Sequence, residues 1–324
     1  MTKVLHVGDV HAEPHTLDDC AALLCFVMET AKQTCPDLIV FEGDQHHSHS
    51  IVHVDVLAFW KSAFTGLKQA GFKVVALVGN HDMTGVDGNY SHAMLAYTGD
   101  VRVIDKPTAI DNILFMPYCA DPQMFIDGCN KYPACPTVVC HQTFQGGTYE
   151  NGFYAKDGLD SNLIPQERVI SGHIHTPQAF GKVIYTGAPR WRTLSDANIE
   201  RAIWLNTYKD GHLDEQTPYS TGEACKRVWH LIDTPEKPIT QQIDGKSTWR
   251  IDIHGPPEYV QARRAELQAP GVRIRSFPTQ TSNMMQVRES EGIQVAFEKF
   301  LGRYQAKYGT SKERLEAMIK ERLG

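Results

Sequence analysis

The residues of this sequence best suited to chemistry are two histidines, His173 and His175, which follow the apolar run from 169 to 171. An apolar run that stops at such a pair is typical of the end of a buried strand. Residues two apart in an extended chain face the same side, so both imidazoles point one way. Asp9 and His11 have the same spacing after another apolar run. Each pair therefore presents two metal-binding groups in one direction.

Three further ligands follow other predicted strands, namely Asp44, Asn80 and His141. The Asp44 carboxylate has two oxygens and could bridge two cations. The set combines imidazole nitrogen with hard oxygen and contains no thiolate, which suits a catalytic metal site better than a structural zinc site. We expect two divalent ions, and this ligand set suits manganese, iron or zinc, with magnesium also possible.

Two such ions indicate a phosphoesterase. Metals about 3.5–4 Å apart bind a phosphate between them and lower the pKa of a bridging water, so that a metal-bridging hydroxide becomes the nucleophile. The leaving oxygen then needs a proton, and His81 is the candidate general acid. Asp82 follows it directly, and we expect the Asp82 carboxylate to hold the His81 ring and favour its charged form.

The surrounding pattern predicts how these residues are positioned. Short apolar runs alternate with amphipathic helical segments up to about residue 100, which indicates parallel strands joined by crossover helices. Ligands of such sheets bind beyond the carboxyl ends of the strands, where these residues lie. From about residue 101 strands follow without long helices, which predicts a second sheet packed on the first. The segment 145–163 is a long loop, and such length favours a functional role.

A polar stretch that includes Thr234 to Pro238 marks a domain boundary. We therefore predict a catalytic domain at 1–233 and a small βαβ domain at 246–289. A tail at 290–324 has two helical segments, with Ser311 as the N-cap of the second. Its apolar stripe would pack on its own domain or bind a partner, either a second copy or another protein.

Composition places the chain among ordinary globular proteins, with 324 residues, 42% hydrophobic and 22% charged. No apolar window is long enough to span a membrane, and no secretory signal opens the sequence, so we expect a cytoplasmic protein. That cytoplasm would be bacterial, or that of an infected cell if the protein is viral. The eight cysteines form no Cys-x-x-Cys pair, which favours reduced thiols.

Charge is distributed unevenly along the chain. Residues 1–225 carry 15 Lys and Arg against 26 Asp and Glu, whereas residues 226–324 carry 17 against 12. A basic module beside an acidic catalytic domain is expected if that module holds a phosphate backbone. A solvated basic surface would give the same count. The candidate DNA contacts are Arg190, Arg192, Arg250, Arg263, Arg264, Arg273 and Arg275.

These motifs resemble those of the calcineurin-like metallophosphoesterases. The matching segments are Gly8-Asp9-Val10-His11, Gly43-Asp44, Gly79-Asn80-His81-Asp82, His141 and Gly172-His173-Ile174-His175. The resemblance covers about residues 3 to 207 and implies an α/β protein with a four-layer α/β/β/α sandwich around two metals. It also implies that Asp9, His11 and His175 bind one ion, that Asn80, His141 and His173 bind the other, and that Asp44 binds both.

Within that superfamily the sequence is most similar to the SbcD-type DNA-repair exonucleases. His47 lies three residues after Asp44, and the run from Gly172 to Gln178 leads into a strand ending in Gly187-Ala188-Pro189. The resemblance implies a manganese-dependent DNA exonuclease, possibly also a single-strand endonuclease, with a DNA-gripping capping domain and His47 assisting on the substrate side. It further implies an SbcC-like ATPase or a homodimer as partner, and the short chain suits a compact phage version.

The sequence departs from that branch at two places. Gln45-His46 replaces an apolar pair, and Arg190-Trp191-Arg192 replaces more apolar residues. These departures bear on the polarity of cutting and on an ATPase partner. The alternative function, which the acidic catalytic domain also fits, is a cyclic-nucleotide or other small-molecule phosphodiesterase or phosphatase of the same fold. A Ser/Thr protein phosphatase is disfavoured because no arginine follows Gly43-Asp44. A catalytically inactive scaffold is disfavoured because no ligand of the motif series is missing.

Overall fold

The structure is a computed structural model that describes residues 1–49, 51–85, 91–279 and residue 314. Within these residues the chain alternates strands with four α-helices and several short 3-10 helices. The helices are α1 (Leu17–Thr34), α2 (Val54–Gln69), α3 (Pro122–Asn130) and α4 (Pro257–Leu267). The strands are β1 (Thr2–Val7), β2 (Leu38–Phe41), β3 (Val74–Leu77), β4 (Arg102–Ile104), β5 (Thr108–Ile110), β6 (Ile113–Met116), β7 (Thr137–His141), β8 (Arg168–Gly172), β9 (Gln178–Phe180), β10 (Val183–Tyr185), β11 (Ala202–Lys209), β12 (His212–Ser220), β13 (Val228–Asp233), β14 (Thr248–Gly255) and β15 (Val272–Pro278).

Two six-stranded sheets form the main body. The first has the strand order β12-β11-β1-β2-β3-β4, and the second has the order β5-β6-β7-β8-β10-β9. The central strands β1 to β4 are parallel to one another, as are β6, β7, β8 and β10. The antiparallel pairs lie toward the edges, where β11 joins β1 and β12, and where β5 and β9 complete the second sheet.

Alternation along the strands divides the interior into layers. On β1, Leu5 and Val7 pack in the core that α1 and α2 cover, whereas Val4 belongs to the core between the two sheets. The far side of the second sheet packs on α3, with Phe125 in that core. Because consecutive side chains along a strand point to opposite faces of the sheet, each sheet contributes to two cores. The order helices, sheet, sheet, helix confirms the predicted four-layer α/β/β/α sandwich.

Helix α1 shows how the sequence sets the element limits. Leu23, Val27 and Ala31 recur at helical spacing and are fully buried. The helix ends because Cys35 adopts a left-handed φ of 49° and donates its backbone N–H to the Ala31 carbonyl, at 2.9 Å. Pro36 follows and cannot continue the helical hydrogen bonding.

A third, three-stranded sheet is formed by the C-terminal part of the described chain. Its strands are parallel in the order β13-β14-β15, and β14, α4 and β15 form the predicted βαβ unit. Strand β13 (Val228–Asp233) belongs to the small sheet. The predicted catalytic domain, which ends at 233, therefore includes one strand of that sheet. The polar stretch after 233 is therefore a connection between two strands of that sheet. The division into domains stays a prediction.

The predicted tail at 290–324, with its two helices, lies outside the described residues except for Arg314, which is helical and exposed. In the parts of the chain that the structure describes, no helix is long and apolar enough to cross a membrane. All eight cysteines are free thiols.

Candidate metal centre

The seven predicted metal ligands meet at one edge of the sandwich. Asp9, His11, Asp44 and Asn80 follow β1, β2 and β3 of the first sheet, whereas His141, His173 and His175 follow or end β7 and β8 of the second. Parallel strands bring their carboxyl ends to one edge, and stacking the two sheets brings the two edges together. The ligands are therefore contributed by both halves of the sandwich.

The ligand atoms form two groups. Asp9, His11 and His175 offer atoms that all lie within 4.8 Å of one another, and so do Asp44, His141 and His173. In the first group, His11 Nε2 is 3.0 Å from His175 Nε2. Two ring nitrogens that face each other at this distance have their lone pairs directed at one region, which is the arrangement that a metal ion requires.

Asn80 completes the second group, and Asp44 lies between the two. The Asn80 Oδ1 atom is 2.9 Å from His141 Nε2 and 2.8 Å from His173 Nδ1. The Asp44 Oδ2 atom is 3.4 Å from His11 Nε2 and 3.3 Å from His141 Nε2. Asp44 thus contacts one imidazole of each group, as a ligand shared by two ions would.

The residues present fit two divalent ions. Asp9 Oδ2 is completely buried and has no hydrogen-bond partner among the described residues, whereas Oδ1 accepts the backbone N–H of His173 at 2.8 Å. A buried carboxylate oxygen without a partner costs free energy unless a cation or donor satisfies it. Asp9 Oδ2 lies among the converging ligand atoms, where a bound cation would satisfy it.

The backbone of the site is strained where ligands are presented. His11, Asp44 and His173 have φ values of 47°, 52° and 81°, in the left-handed region that non-glycine residues seldom adopt. Each such residue costs about 1 kcal/mol or more. Packing is equally tight, because a Cβ on Gly79 would lie 2.2 Å from Asp44 Oδ1. The surrounding fold therefore holds these side chains in orientations that the isolated chain would not choose.

Burial and mutual charge shift the pKa values of the ligands. Burial lowers the pKa of His173, to about 3, with His141 adding to the effect. Burial also holds the His11 pKa well below its usual value. For His141, burial acts downward, but the Asp44 and Asp9 carboxylates outweigh it and raise the pKa to about 9. His11 and His173 are therefore neutral at pH 7, the state in which an imidazole can ligate a metal, whereas His141 must first lose a proton.

A buried network of hydrogen-bonded polar groups holds His141 in place. The backbone carbonyl of Glu42 accepts from His141 Nδ1 at 2.8 Å, which leaves Nε2 for the site. The Glu42 carboxylate contacts His6 Nδ1 at 2.7 Å and accepts from the Thr186 hydroxyl, and His6 Nε2 contacts the Tyr208 hydroxyl at 3.0 Å. All of these side chains are buried, and they join Glu42, directly after β2, to strands β7, β1 and β11 and to the residue after β10.

The candidate acid His81 lies at the mouth of the site. Its backbone N–H donates to Asp44 Oδ1 at 2.8 Å, and its Nδ1 donates to the carbonyl of His47. Its ring packs edge-on to His11 and stacks on His49, with ring centroids 4.7 and 4.0 Å apart. Burial lowers the His81 pKa, although Asp44 opposes the shift.

The prediction that Asp82 holds the His81 ring is wrong. The Asp82 carboxylate faces the opposite way and contacts His46 Nδ1 at 2.8 Å, and it accepts the backbone N–H groups of His46 and Gly79 at 3.0 Å each. His46 Nε2 in turn contacts the Tyr97 hydroxyl at 3.0 Å. Asp82 therefore fixes the loops after β2 and β3 to each other and positions His81 only through the backbone.

His47 and Arg192 stand together on the open side of the site. His47 Nδ1 is 3.4 Å from His11 Nδ1 and accepts from the Arg192 guanidinium at 2.8 Å. Arg192 also approaches Glu13, at 3.7 Å, and its Nε atom is buried without a hydrogen-bond partner in the part of the chain that the structure describes. Burial lowers the pKa of His47, and the Arg192 charge adds to the effect. His47 and Arg192 therefore lie together beside His11, one of the candidate metal ligands.

Two of the arginines predicted to contact DNA do not face solvent. Arg190 is 1% exposed and donates to the carbonyls of Val10 and His11, at 2.8 and 2.7 Å. Arg263 forms a two-point pair with the buried Asp233 carboxylate, with contacts of 2.8 and 3.1 Å. For both residues the prediction of a DNA contact is wrong. Arg263 balances a buried carboxylate charge. Arg190 instead satisfies two buried backbone carbonyls, one of which belongs to the candidate metal ligand His11.

The remaining predicted contacts lie on β14, β15 and helix α4. Arg264 and Arg273 are exposed, Arg264 donating to the Ser276 hydroxyl at 3.2 Å. Arg275 is half exposed and pairs with Asp252, which Arg250 approaches at 3.5 Å. These four arginines stay candidates. Trp191, by contrast, is 4% exposed and packs between the core and the Arg227 guanidinium.

Sequence reasoning missed several residues of the site. His49 stacks on His81 and its Nδ1 contacts the Asn80 carbonyl at 2.8 Å. Tyr118 stacks on His173 with ring centroids 5.9 Å apart, and Glu150 reaches His175 from the long loop. The histidine run at 46–49 was a visible signal for His49. No local pattern signals Tyr118 or Glu150, because tertiary packing alone brings them to the site.

The chain belongs to the calcineurin-like phosphoesterase family, which it matches over residues 2–177. It resembles exonuclease subunit 1 of Enterobacteria phage T4, with 27% identity over 270 residues that span 78% of this chain and 75% of that protein. The predicted superfamily is thereby confirmed, and the phage relative agrees with the predicted phage version.

Two solved structures show weaker likeness. One is GAP50, the anchor in the inner membrane complex of Plasmodium, with 13% identity and a TM-score of 0.38 over 68% of this chain and 88% of that one. The other is the nuclease MPE of Pseudomonas putida, with 17% identity and a TM-score of 0.31 over 67% and 87% of the two chains.

Proposed function

We propose that this protein is a metal-dependent DNA nuclease that hydrolyses phosphodiester bonds with two divalent ions, manganese being favoured. The observation that carries the proposal is the convergence of the seven ligand residues from both sheets, with Asp44 between the two groups. The similarity to a phage protein named as an exonuclease subunit supports DNA as the substrate and cutting from an end as the reaction. Single-strand endonuclease activity is a secondary expectation.

The seven residues would hold the ions. Asp9, His11 and His175 would bind one, Asn80, His141 and His173 the other, and Asp44 both. When bound, the ions supply Lewis acidity toward the phosphate and lower the pKa of a coordinated water. The chain contributes fixed geometry, because the left-handed backbone of His11, Asp44 and His173 aims their side chains before any ligand arrives.

His81 would protonate the leaving oxygen. Its Nδ1 donates to the His47 carbonyl, so Nε2 is the atom that delivers the proton. Burial lowers the His81 pKa, which disfavours the charged ring without substrate. An arriving phosphodiester brings negative charge, which favours the protonated imidazole. The arrival of substrate would therefore favour the form of His81 that can give a proton to the leaving oxygen.

Arg192 and His47 would contact the substrate. The Arg192 side chain is 12% exposed, and no described residue hydrogen-bonds to its buried Nε. A phosphate oxygen would satisfy that donor and would be held against the metal side of the site. The His47 Nδ1 atom accepts from Arg192, so any proton on its ring is on Nε2, which is available to a substrate oxygen.

The small sheet would bind the DNA backbone through Arg250, Arg273 and Arg275, and helix α4 would bind it through Arg264. A partner is also part of the proposal, because the phage relative is named as a subunit. We propose that this partner is an SbcC-like ATPase or a second copy of the chain, engaged through the tail at 290–324, and that the protein acts in the cytoplasm of a bacterial or infected cell in DNA repair or recombination.

The test is a substrate panel with purified protein in Mn²⁺. End-labelled duplex, circular single-stranded DNA, a cyclic nucleotide and bis-p-nitrophenyl phosphate would be compared between the wild type, Asp44→Ala and His81→Ala. The proposal expects DNA to be degraded by the wild type alone, with the label position giving the polarity. If only the small diesters are hydrolysed, the substrate is a nucleotide and the DNA assignment fails.

A further inference from the structure

The long loop between β7 and β8 places a small hairpin against the metal centre. Thr148 and Tyr154 form an isolated antiparallel bridge, and Tyr149 accepts from Gly152 and donates to Phe153 through backbone groups, both at 2.9 Å. Gln178 of β9 fixes the base of the hairpin, since its side chain exchanges two hydrogen bonds with the Thr148 backbone, at 2.8 and 2.7 Å. Glu150 is at the tip of this hairpin.

The Glu150 carboxylate contacts His175 twice. Its Oε1 atom accepts the His175 backbone N–H at 2.9 Å and lies 3.2 Å from His175 Nδ1. Both side chains are mostly buried, with 21% and 17% exposure. The opposite ring nitrogen, His175 Nε2, is the one that faces His11 at 3.0 Å.

This arrangement determines which nitrogen of His175 is free. A carboxylate beside Nδ1 favours the proton on that nitrogen and leaves the lone pair on Nε2, toward the metal position. The negative charge also makes Nε2 a stronger ligand, as outer carboxylates do at other metal-bound histidines. Backbone contacts hold the peptide of His175 as well, because its carbonyl accepts from Ala188 at 3.0 Å and from Arg201. Those contacts do not touch the ring.

We propose that Glu150 is a positioning residue that orients and strengthens His175 as a metal ligand. This inference rests on the proposed function, because it requires that His175 bind an ion. His141 and His175 differ in the kind of group that orients their rings. His141 is oriented by a backbone carbonyl at the end of β2, which is a core strand, whereas His175 is oriented by a side chain on a loop. The affinity of Asp9, His11 and His175 for their ion therefore depends on the position of the hairpin that carries Glu150.

The experiment is a Mn²⁺ titration by calorimetry and electron paramagnetic resonance, with the wild type, Glu150→Gln and Glu150→Ala. Glu150→Gln keeps an acceptor at the same place and removes the charge, whereas Glu150→Ala removes both. Asp157→Asn is the matched control, since Asp157 is an exposed carboxylate of the same loop. We expect two ions in the wild type and in the control. In the Glu150 variants one ion should bind about 10–100-fold more weakly and the other unchanged.

A second readout separates positioning from a general loss of structure. If Glu150 acts through metal affinity, raising Mn²⁺ restores cleavage by Glu150→Gln toward the wild-type rate, and its melting temperature without metal equals that of the wild type. Wild-type affinity at both ions in Glu150→Gln and Glu150→Ala would overturn the inference and leave the proposed function standing. A wild type that binds fewer than two ions would overturn the proposed function, and this inference with it.

Discussion

Asp44 Oδ2 lies 3.3 Å from His141 Nε2, although Asp44 follows a strand of the first sheet and His141 ends a strand of the second. The contact is possible because both strands end at the same edge of the sandwich. The same carboxylate oxygen is 3.4 Å from His11. The proposed centre therefore lies on the seam between the sheets, and its geometry depends on how the sheets stack.

Space around Asp44 gives a first prediction. A Cβ on Gly79 would lie 2.2 Å from Asp44 Oδ1 and 2.3 Å from its backbone nitrogen. We expect Gly79→Ala to displace Asp44, to weaken Mn²⁺ binding and to reduce cleavage by at least about tenfold. The control is Gly66→Ala in α2, where a Cβ meets nothing within 4 Å and where alanine favours the helix. Equal metal affinity in the two variants would contradict the prediction.

The role of His81 can be tested with the leaving group. A deoxyribose oxygen needs a proton as it departs, whereas p-nitrophenolate departs without one. His81→Ala should therefore lose about 100-fold or more in DNA cleavage and much less in hydrolysis of bis-p-nitrophenyl phosphate. His212→Ala serves as control, because His212 is exposed and pairs with Glu167 on the opposite region of the fold. Equal losses on both substrates would show that His81 is not the acid.

Metal binding should release a proton from His141. Its pKa is raised to about 9, so the ring is protonated at pH 7, and a metal requires the neutral form. The affinity for Mn²⁺ should consequently rise with pH, by about tenfold per unit below 9, and level off above it. Calorimetry in buffers of different ionisation enthalpy counts the protons, and about one is expected at pH 7. A pH-independent affinity between pH 7 and 9 would refute this expectation.

Arg263 of helix α4 and Arg273 of strand β15 should behave differently when each is replaced by alanine. Arg263 pairs with the fully buried Asp233, so Arg263→Ala leaves a buried charge and should cost about 3 kcal/mol in the free energy of unfolding. Arg273 is exposed, and Arg273→Ala should change stability by less than about 0.5 kcal/mol. Urea unfolding measures both effects.

DNA binding in the presence of EDTA completes that comparison. If Arg273 contacts a phosphate, Arg273→Ala should weaken binding equally on all sequences and reduce the slope of log affinity against log salt by about one. An unchanged slope would remove Arg273 from the DNA surface.

The local sequence pattern was sufficient to locate the candidate metal ligands. Each predicted ligand follows a short apolar strand, and strand ends can be recognised from periodicity without knowledge of tertiary contacts. The stacking of the two sheets was predicted from the change of rhythm near residue 101. The four-layer arrangement itself came from the resemblance of the motifs.

The errors arose where tertiary contacts decide. Arg190 and Arg263 are charged residues that the fold buries against acceptors, and charge patterning does not distinguish such residues from solvent-facing ones. Asp82 was paired with its sequence neighbour His81, but the 3-10 turn at Asn80–Asp82 directs it toward His46. That contact also explains why a histidine at 46 is tolerated in place of an apolar residue, because both ring nitrogens are satisfied in the core.

The central claim is that two ions in one shared site cut DNA. It is tested most directly by the rate of cleavage of end-labelled duplex as a function of Mn²⁺ concentration, for the wild type and for Asp44→Asn. The account predicts a sigmoidal dependence that requires two ions in the wild type and no cleavage at any Mn²⁺ concentration in Asp44→Asn. Cleavage by Asp44→Asn at the wild-type rate, or a wild type that leaves duplex DNA intact at saturating Mn²⁺, would contradict it.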